Sequence, residues 1–275
     1  GCGSFGILNS LQTILPETGV KKENVVTISG IECSSRFPYY INTYGFHSMH
    51  GRASAIASGV KVSIPELSVW QITGDGDSMA IGGNHLIHMI RRNININMLL
   101  FNNKIYGLTK GQFSATAERG LELKHQGENP FLPIDIAKEA LIGNASFVAR
   151  SFAGDPKQVR ELLKAALSHR GTAVLDIISP CVSFNNREDT LHSYQWGRQH
   201  EAPLHDISYV PTRRAIILDE FEEGETKEVT LHDGSIVVLK KLEHDYAPTD
   251  KWQALKILEE AENKRWLVTG LIYVD

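Results

Sequence analysis

The stretch QITGDGDSMAIGGNH, residues 71–85, sets Asp75 between Gly74 and Gly76, adds a second acid at Asp77, and places Gly82-Gly83 where a helix should be starting. Glycine-rich loops at helix N-termini bind phosphate because unpaired N–H groups and the helix dipole point at the anion. Two common versions do not fit. A dinucleotide fingerprint needs a third glycine where Met79 stands, and a P-loop needs Gly-Lys-Ser/Thr, which is absent. What is left is a phosphate loop that carries acids. An acid beside phosphate is repulsive unless a divalent cation bridges the two. The segment FNNKIYG (101–107) offers neutral oxygen ligands for such a cation, and its Asn103 lies 28 residues after Asp75.

The cysteines form a second constellation. Cys2 lies in GCGSFG, Cys33 in GIECSSR and Cys181 in SPCVSFNN, each in a tight loop. A lone Cys is usually an inert buried thiol. Thiolates converging from several loops suggest instead a soft-metal site, either zinc or an iron–sulfur cluster. A cluster normally takes four ligands and three are present, so the residues alone leave these alternatives open. His85 and His88 are three apart rather than four and lack a third ligand, which reads as a polar helix contact rather than a zinc site.

Elements must bring these loops together. NVVTISG (24–30), SVWQIT (68–73), NININMLLF (93–101) and AVLDII (173–178) read as β-strands. Helical patterns lie between them at 51–60, 78–93 and 155–171, the last capped by Asp155 with Pro156 at its first position. Alternating strands and helices imply an α/β fold, mainly a parallel sheet with helices on both faces. Cys33, Asp75, Asn102-Asn103 and Cys181 each follow a strand, so all four loops share the C-terminal edge where open α/β sheets bind ligands. Beyond residue 208 the pattern changes. A hairpin (228–242) turning at Asp233-Gly234, a helix (249–264) capped by Thr249 or Asp250 and a last strand suggest two units: a 1–208 α/β domain and a small α+β appendage over 209–275.

The whole chain sets limits on partners. Its 275 residues, 42% hydrophobic and 22% charged, are those of an ordinary globular protein. A formal charge of -4 argues against general affinity for nucleic acid or for anionic membrane, and no apolar run approaches a membrane span. No signal peptide is recognised, and an odd number of widely spaced cysteines fits a reducing cytoplasm.

GDG with Asn-Asn at this interval resembles the thiamine diphosphate-binding motif. Together with GCGSFGILNSLQ, GIECSSR, NTYGFHSMHGRA, the long run GDGDSMAIGGNHLIHMIRRNININMLLFNNKIYGLTKGQ, SPCVSFNN and DYAPTDKWQAL, it is similar to the β subunit of 2-oxoacid:ferredoxin oxidoreductases, especially the 2-oxoglutarate type. The resemblance spans essentially the whole chain. It implies Mg²⁺ held by Asp75, the Asn103 side chain and the Ile105 carbonyl, with the N–H groups of Gly76, Asp77 and Ser78 on the diphosphate. It implies one [4Fe–4S] cluster on Cys2, Cys33, Cys181 and a fourth cysteine upstream of Gly1, because the family motif Trp-Cys-x-Gly-Cys-Gly has Cys2 as its second cysteine. Ser34, Ser35, His50, Gly51, Gly74, Gly107 and Leu108 would line the cofactor. Arg36, Leu108 and His47 would face the substrate, with Lys110 as a further candidate, and Arg52 would lie near the cofactor. The implied activity is coenzyme A-dependent oxidative decarboxylation of a 2-oxo acid, or its reversal, exchanging electrons with ferredoxin. No candidate here supplies the glutamate that thiamine enzymes set against the aminopyrimidine ring. The α subunit would provide it in an αβ or α2β2 assembly, leaving this chain inactive alone. The competing expectations are a cluster-free thiamine decarboxylase or synthase and a non-catalytic subunit that keeps the fold.

Overall fold

The structure is a computed structural model that describes residues 2–188, 191, 193–208, 218–223, 225–230, 236–240 and 246–275. Among the described residues, eight strands make one sheet. Its order is β11 (Glu201–Pro203), β14 (Leu267–Val274), β9 (Phe147–Phe152), β10 (Ala173–Ile178), β4 (Asn97–Asn102), β3 (Ser68–Gly74), β1 (Val25–Ser29) and β2 (Tyr44–His47). All neighbours run parallel except β14 against β9. The central β4 and β10 are buried at every position, which is why both read as continuous apolar runs.

Helices cover both faces of the sheet. On one side, α1 (Ser4–Glu17) and α5 (Pro156–Ser168) bring Leu11, Ile14, Leu162 and Leu163 against Trp70, Leu99 and Leu175. On the other lie α2 (Ala53–Ser63), α3 (Gly83–Arg91), α4 (Ile136–Ile142) and α7 (Lys251–Lys264). There Met89, Leu141 and Leu258 pack against Val69, Met98 and Val174. Met98 and Leu99 enter opposite cores because successive strand residues point to opposite faces. A short α6 (Tyr194–His200), capped by the Ser193 hydroxyl, sets Tyr194 and Trp196 against Phe152, Ile178 and Leu267.

Several expectations shift. The helix expected over 78–93 is two pieces: a π-helical turn at Gly76–Ile81 and then α3. Strands β2, β9 and β11 lie outside the four strands expected. Two ribbons, β5 (Ile105–Tyr106) with β6 (Gln112–Phe113) and β7 (Glu122–Leu123) with β8 (Gly127–Glu128), fold up the long loop after β4. The expected hairpin is β12 (Thr226–Thr230) antiparallel to β13 (Ile236–Lys240); its Asp233-Gly234 turn lies outside the described residues. The expected C-terminal helix and strand of the 209–275 unit form, and both pack with the 1–208 unit. Helix α7, capped by Asp250, and β14 belong to the main sheet and its core, through Ala254, Leu258, Val268 and Ile272.

Candidate functional site

Cys33, Asp75, Asn103 and Cys181 follow β1, β3, β4 and β10, so the parallel register does deliver their loops to one sheet edge. Asp75 is fully buried there. It accepts hydrogen bonds from the Asn103 N–H (3.3 Å), the Thr116 hydroxyl (2.6 Å) and the Ser114 hydroxyl. Burial pushes its carboxyl above the ordinary value, and these donors partly offset that. All three partners are neutral. A buried carboxylate with neutral partners is the kind of group that a divalent cation compensates. The Asn103 side-chain oxygen accepts the Ile105 N–H at 2.9 Å, and it folds the next turn of the loop beside Asp75. An all-oxygen donor set of this kind suits a hard cation such as Mg²⁺.

Asp77 does a different job from its neighbour. Its carboxylate accepts from Ile31 N–H (3.1 Å), Gly51 N–H (2.6 Å), His50 Nδ1–H (2.6 Å) and the Thr73 hydroxyl (2.7 Å), tying β1, β3 and the turn before α2 into one rigid unit. Gly30 is glycine because a Cβ there would overlap this carboxylate. Gly51 has φ +69° and lies against Ile81 and Gly82. Backbone meeting backbone at Gly51 and Gly82 is the close approach that the Gly-Gly pair permits. Gly83, by contrast, faces open space.

Glu32 is the largest departure from expectation. It is 5% exposed, its Oε1 accepts the Asp77 N–H at 2.9 Å, and the Gly76 N–H lies near enough to favour its ionised form. These are two of the amides expected to face a phosphate. A Cβ at Gly74 would overlap the Glu32 carboxylate, and one at Gly76 would overlap the Tyr106 ring, whose hydroxyl donates to the Gly76 carbonyl at 3.2 Å. Burial, with Asp75 beside it, raises the Glu32 carboxyl well above the ordinary range. The amide pattern is that of an anion cradle, with a side-chain carboxylate already on it.

The thiols converge as well. A Cβ at Gly107 would lie 3.4 Å from the Cys33 sulfur and 3.6 Å from that of Cys181, so both reach over the same backbone. Burial raises the Cys33 thiol, followed by the charges of Cys181, Glu32 and Cys2, which puts all three cysteines in one neighbourhood. All three are free thiols. Among the described residues, no group of three or more His, Cys, Asp or Glu is arranged to hold a single metal ion. Three free thiols drawn from three loops are soft ligands of the kind that zinc and iron–sulfur clusters take.

The remaining candidates line the approach. His47 donates from Nδ1 to the Ser35 carbonyl at 2.7 Å, close to the Ser29 hydroxyl at 3.1 Å, so the other ring nitrogen, Nε2, stays available for a ligand. The Ser34 hydroxyl is buried without a hydrogen-bond partner, as expected of a group awaiting a ligand. Ser35 is taken up in the loop, binding the Glu32 N–H. Ser78 donates its hydroxyl to the Gly74 carbonyl. Arg36 is exposed and stacks on Tyr40 at 5.8 Å, and Leu108 is exposed; no contact draws either into the cradle. Lys110 is exposed too, and the Arg52 guanidinium donates to the Gly51 carbonyl at 3.3 Å.

Behind the site runs a polar chain that the sequence did not disclose. The Thr116 hydroxyl links Asp75 to Asn102, whose amide donates to Asp176 at 3.0 Å. Asp176 and Asp135, the N-cap of α4, share Arg150, each at 2.7 Å. Lys104, with φ +65°, makes a buried ion pair with Glu118. These pairs clamp the β4 loop to the sheet.

Comparison with known proteins adds the following. Residues 27–177 match the thiamine pyrophosphate enzyme, C-terminal TPP binding domain. The 2-oxoglutarate oxidoreductase subunit KorB of Mycobacterium tuberculosis is 53% identical over 190 residues, covering 68% of this chain and 50% of that one. This chain therefore spans about half the length of that relative. The 2-oxoacid:ferredoxin oxidoreductase 1, subunit beta, of Aeropyrum pernix is 36% identical over 240 residues, covering 82% of this chain and 74% of the other. Among solved structures, 2-oxoglutarate:ferredoxin oxidoreductase from Magnetococcus marinus, with 2-oxoglutarate, coenzyme A and succinyl-CoA bound, matches with a TM-score of 0.80 at 33% identity. That match covers 100% of this chain and 80% of the other.

Proposed function

The chain belongs to the β subunits of the 2-oxoacid:ferredoxin oxidoreductases, and from that premise we propose that it is the thiamine diphosphate- and cluster-bearing half of an enzyme acting on 2-oxoglutarate. The observation that carries the reading is the shared edge: Asp75 with Asn103 on one side, and Cys33 with Cys181 over Gly107 on the other. Asp75, the Asn103 side chain and the Ile105 carbonyl would hold Mg²⁺, and the amides of Gly76, Asp77 and Ser78 would hold the diphosphate. Cys2, Cys33, Cys181 and an upstream cysteine would hold one [4Fe–4S] cluster. Bound there, thiamine diphosphate supplies an electron sink for loss of carbon dioxide, and the cluster passes electrons singly to ferredoxin.

The chain's own residues would then position and exclude. Asp77 fixes His50 and Gly51 against the cradle, and His47 presents Nε2 to the substrate. Arg36 lies on the rim, where a guanidinium pairs bidentately with a carboxylate of a dicarboxylic acid. Ser34 gives a hydroxyl that needs a partner. Glu32 addresses the phosphate amides, so it is not placed to serve the aminopyrimidine ring. That group would come from an α subunit in an αβ or α2β2 assembly, and free thiols suit a reducing cytoplasm.

The test is turnover of the co-purified α and β chains. The reading expects ferredoxin reduction that requires both 2-oxoglutarate and coenzyme A. Carbon dioxide release that needs neither coenzyme A nor an electron acceptor would establish a cluster-free decarboxylase instead.

A further inference from the structure

Glu32 sits one residue before Cys33 on the loop leaving β1, yet its side chain turns inward and fills the Gly-Asp-Gly turn. The Asp77 amide donates to it, Gly76 lies against its Oε1, and the missing side chain of Gly74 makes room for it. The charges acting on it are those of Asp75 and Asp77, both acids, with no cation among them. Only amide dipoles favour a carboxylate in such a place, and they would favour any other anion equally.

We propose that Glu32 is a built-in competitor for the cofactor's diphosphate: the same N–H groups cannot serve both, so cofactor binding includes rotation of this side chain out of the turn, and Glu32 sets the affinity. This rests on the thiamine diphosphate reading above. The exchange is confined to the side chain. The Glu32 N–H donates to the Ser35 hydroxyl at 2.8 Å, and its carbonyl accepts the Ser35 N–H at 3.0 Å. The backbone that carries Cys33 therefore stays where it is while the carboxylate swings. A cradle that is ligand-competent only when Glu32 is out has its apparent affinity reduced by that fraction. If the outward rotamer is about one-tenth populated, removing the competitor tightens binding about ten-fold.

The experiment is titration calorimetry on the co-purified α and β chains, stripped of cofactor, at saturating Mg²⁺. The titrants are thiamine diphosphate and, separately, inorganic pyrophosphate. Parent, Glu32→Gln and Glu32→Ala proteins are compared, with thermal melting to confirm that each variant is folded. The expected result is tighter binding of both titrants, by about ten-fold for Ala, with Gln between Ala and parent. Unchanged or weaker binding by two folded variants overturns the competitor while leaving the cofactor reading intact. Weaker binding, with a raised Mg²⁺ requirement when Mg²⁺ is itself titrated, would make Glu32 a cation ligand, and that overturns the proposal too. If neither titrant binds parent or variants, the thiamine diphosphate reading falls and takes the competitor with it.

Discussion

Asp75 and Asp77, two residues apart in a short loop, have opposite assignments, and their partners decide which is which. Asp75 meets only neutral donors, so Asp75→Asn is expected to abolish Mg²⁺-dependent thiamine diphosphate binding while the protein melts near the parent temperature; retained binding by calorimetry would remove Asp75 from the metal site. Thr116→Val leaves the carboxylate in place with the Ser114 hydroxyl but without the Thr116 one, and is expected to weaken Mg²⁺ binding about 10–100-fold, the usual range for partners of metal ligands. Arg150 belongs to stability rather than chemistry. Arg150→Leu strands two buried carboxylates and should destabilise by about 3–5 kcal/mol in chemical denaturation. Burial would raise Asp135, but Arg150 and the Lys138 N–H outweigh it and hold the carboxyl below its usual value. The folded state thus prefers Asp135 ionised. That contribution is present above the ordinary aspartate pKa of about 3.9 and is lost as pH falls through the lowered value. The parent should lose stability on acidification in this window, and Arg150→Leu should lose less. That Asp75, Asn103 and the cysteines follow strands onto one sheet edge could be read from sequence, because glycines and spacing mark them. Glu32, Ser114 and Thr116 could not. They reach the Gly-Asp-Gly loop from 39 to 45 residues away, and no local pattern announces such an approach.

Elements were readable where burial is uniform. Strands β4 and β10 are apolar along their length and stood out. Strand β9 carries Arg150 in its middle, and only the buried pair of aspartates explains a charged residue there. Strand β2 is an exposed edge strand, so its alternation carries no burial signal. The π-helical turn was hidden for a related reason: its width follows from tertiary ties to Asp77 and from Gly51 pressing on Gly82, not from residues 76–81 alone. That contact gives a prediction. A Cβ on Gly82 would lie 2.5 Å from the Asp77 carbonyl and 3.1 Å from Gly51 Cα, both backbone. Gly82→Ala should therefore lower the melting temperature and weaken thiamine diphosphate binding together, whereas Gly83→Ala, facing open space, should do neither.

At the scale of the molecule, the C-terminal helix and strand complete the sheet on which the site is built. Leu258, 1% exposed, packs with Leu141 and Val268, so Leu258→Ala should cost about 2–5 kcal/mol by denaturant titration. A separable appendage would show far less. That this helix and strand join the main sheet was not readable, because the antiparallel return of β14 onto β9 has no local mark. Edge and site then form one unit: the proposed thiamine diphosphate cradle and the three thiols, held on neighbouring loops. The measurement that tests this most directly is low-temperature electron paramagnetic resonance of the anaerobically purified full-length α and β chains, reduced with dithionite. The expected result is a spin-half iron–sulfur signal that disappears in Cys33→Ala and in Cys181→Ala but persists in Asp75→Asn. Iron-free protein with no signal, or a signal indifferent to both cysteines, would contradict it.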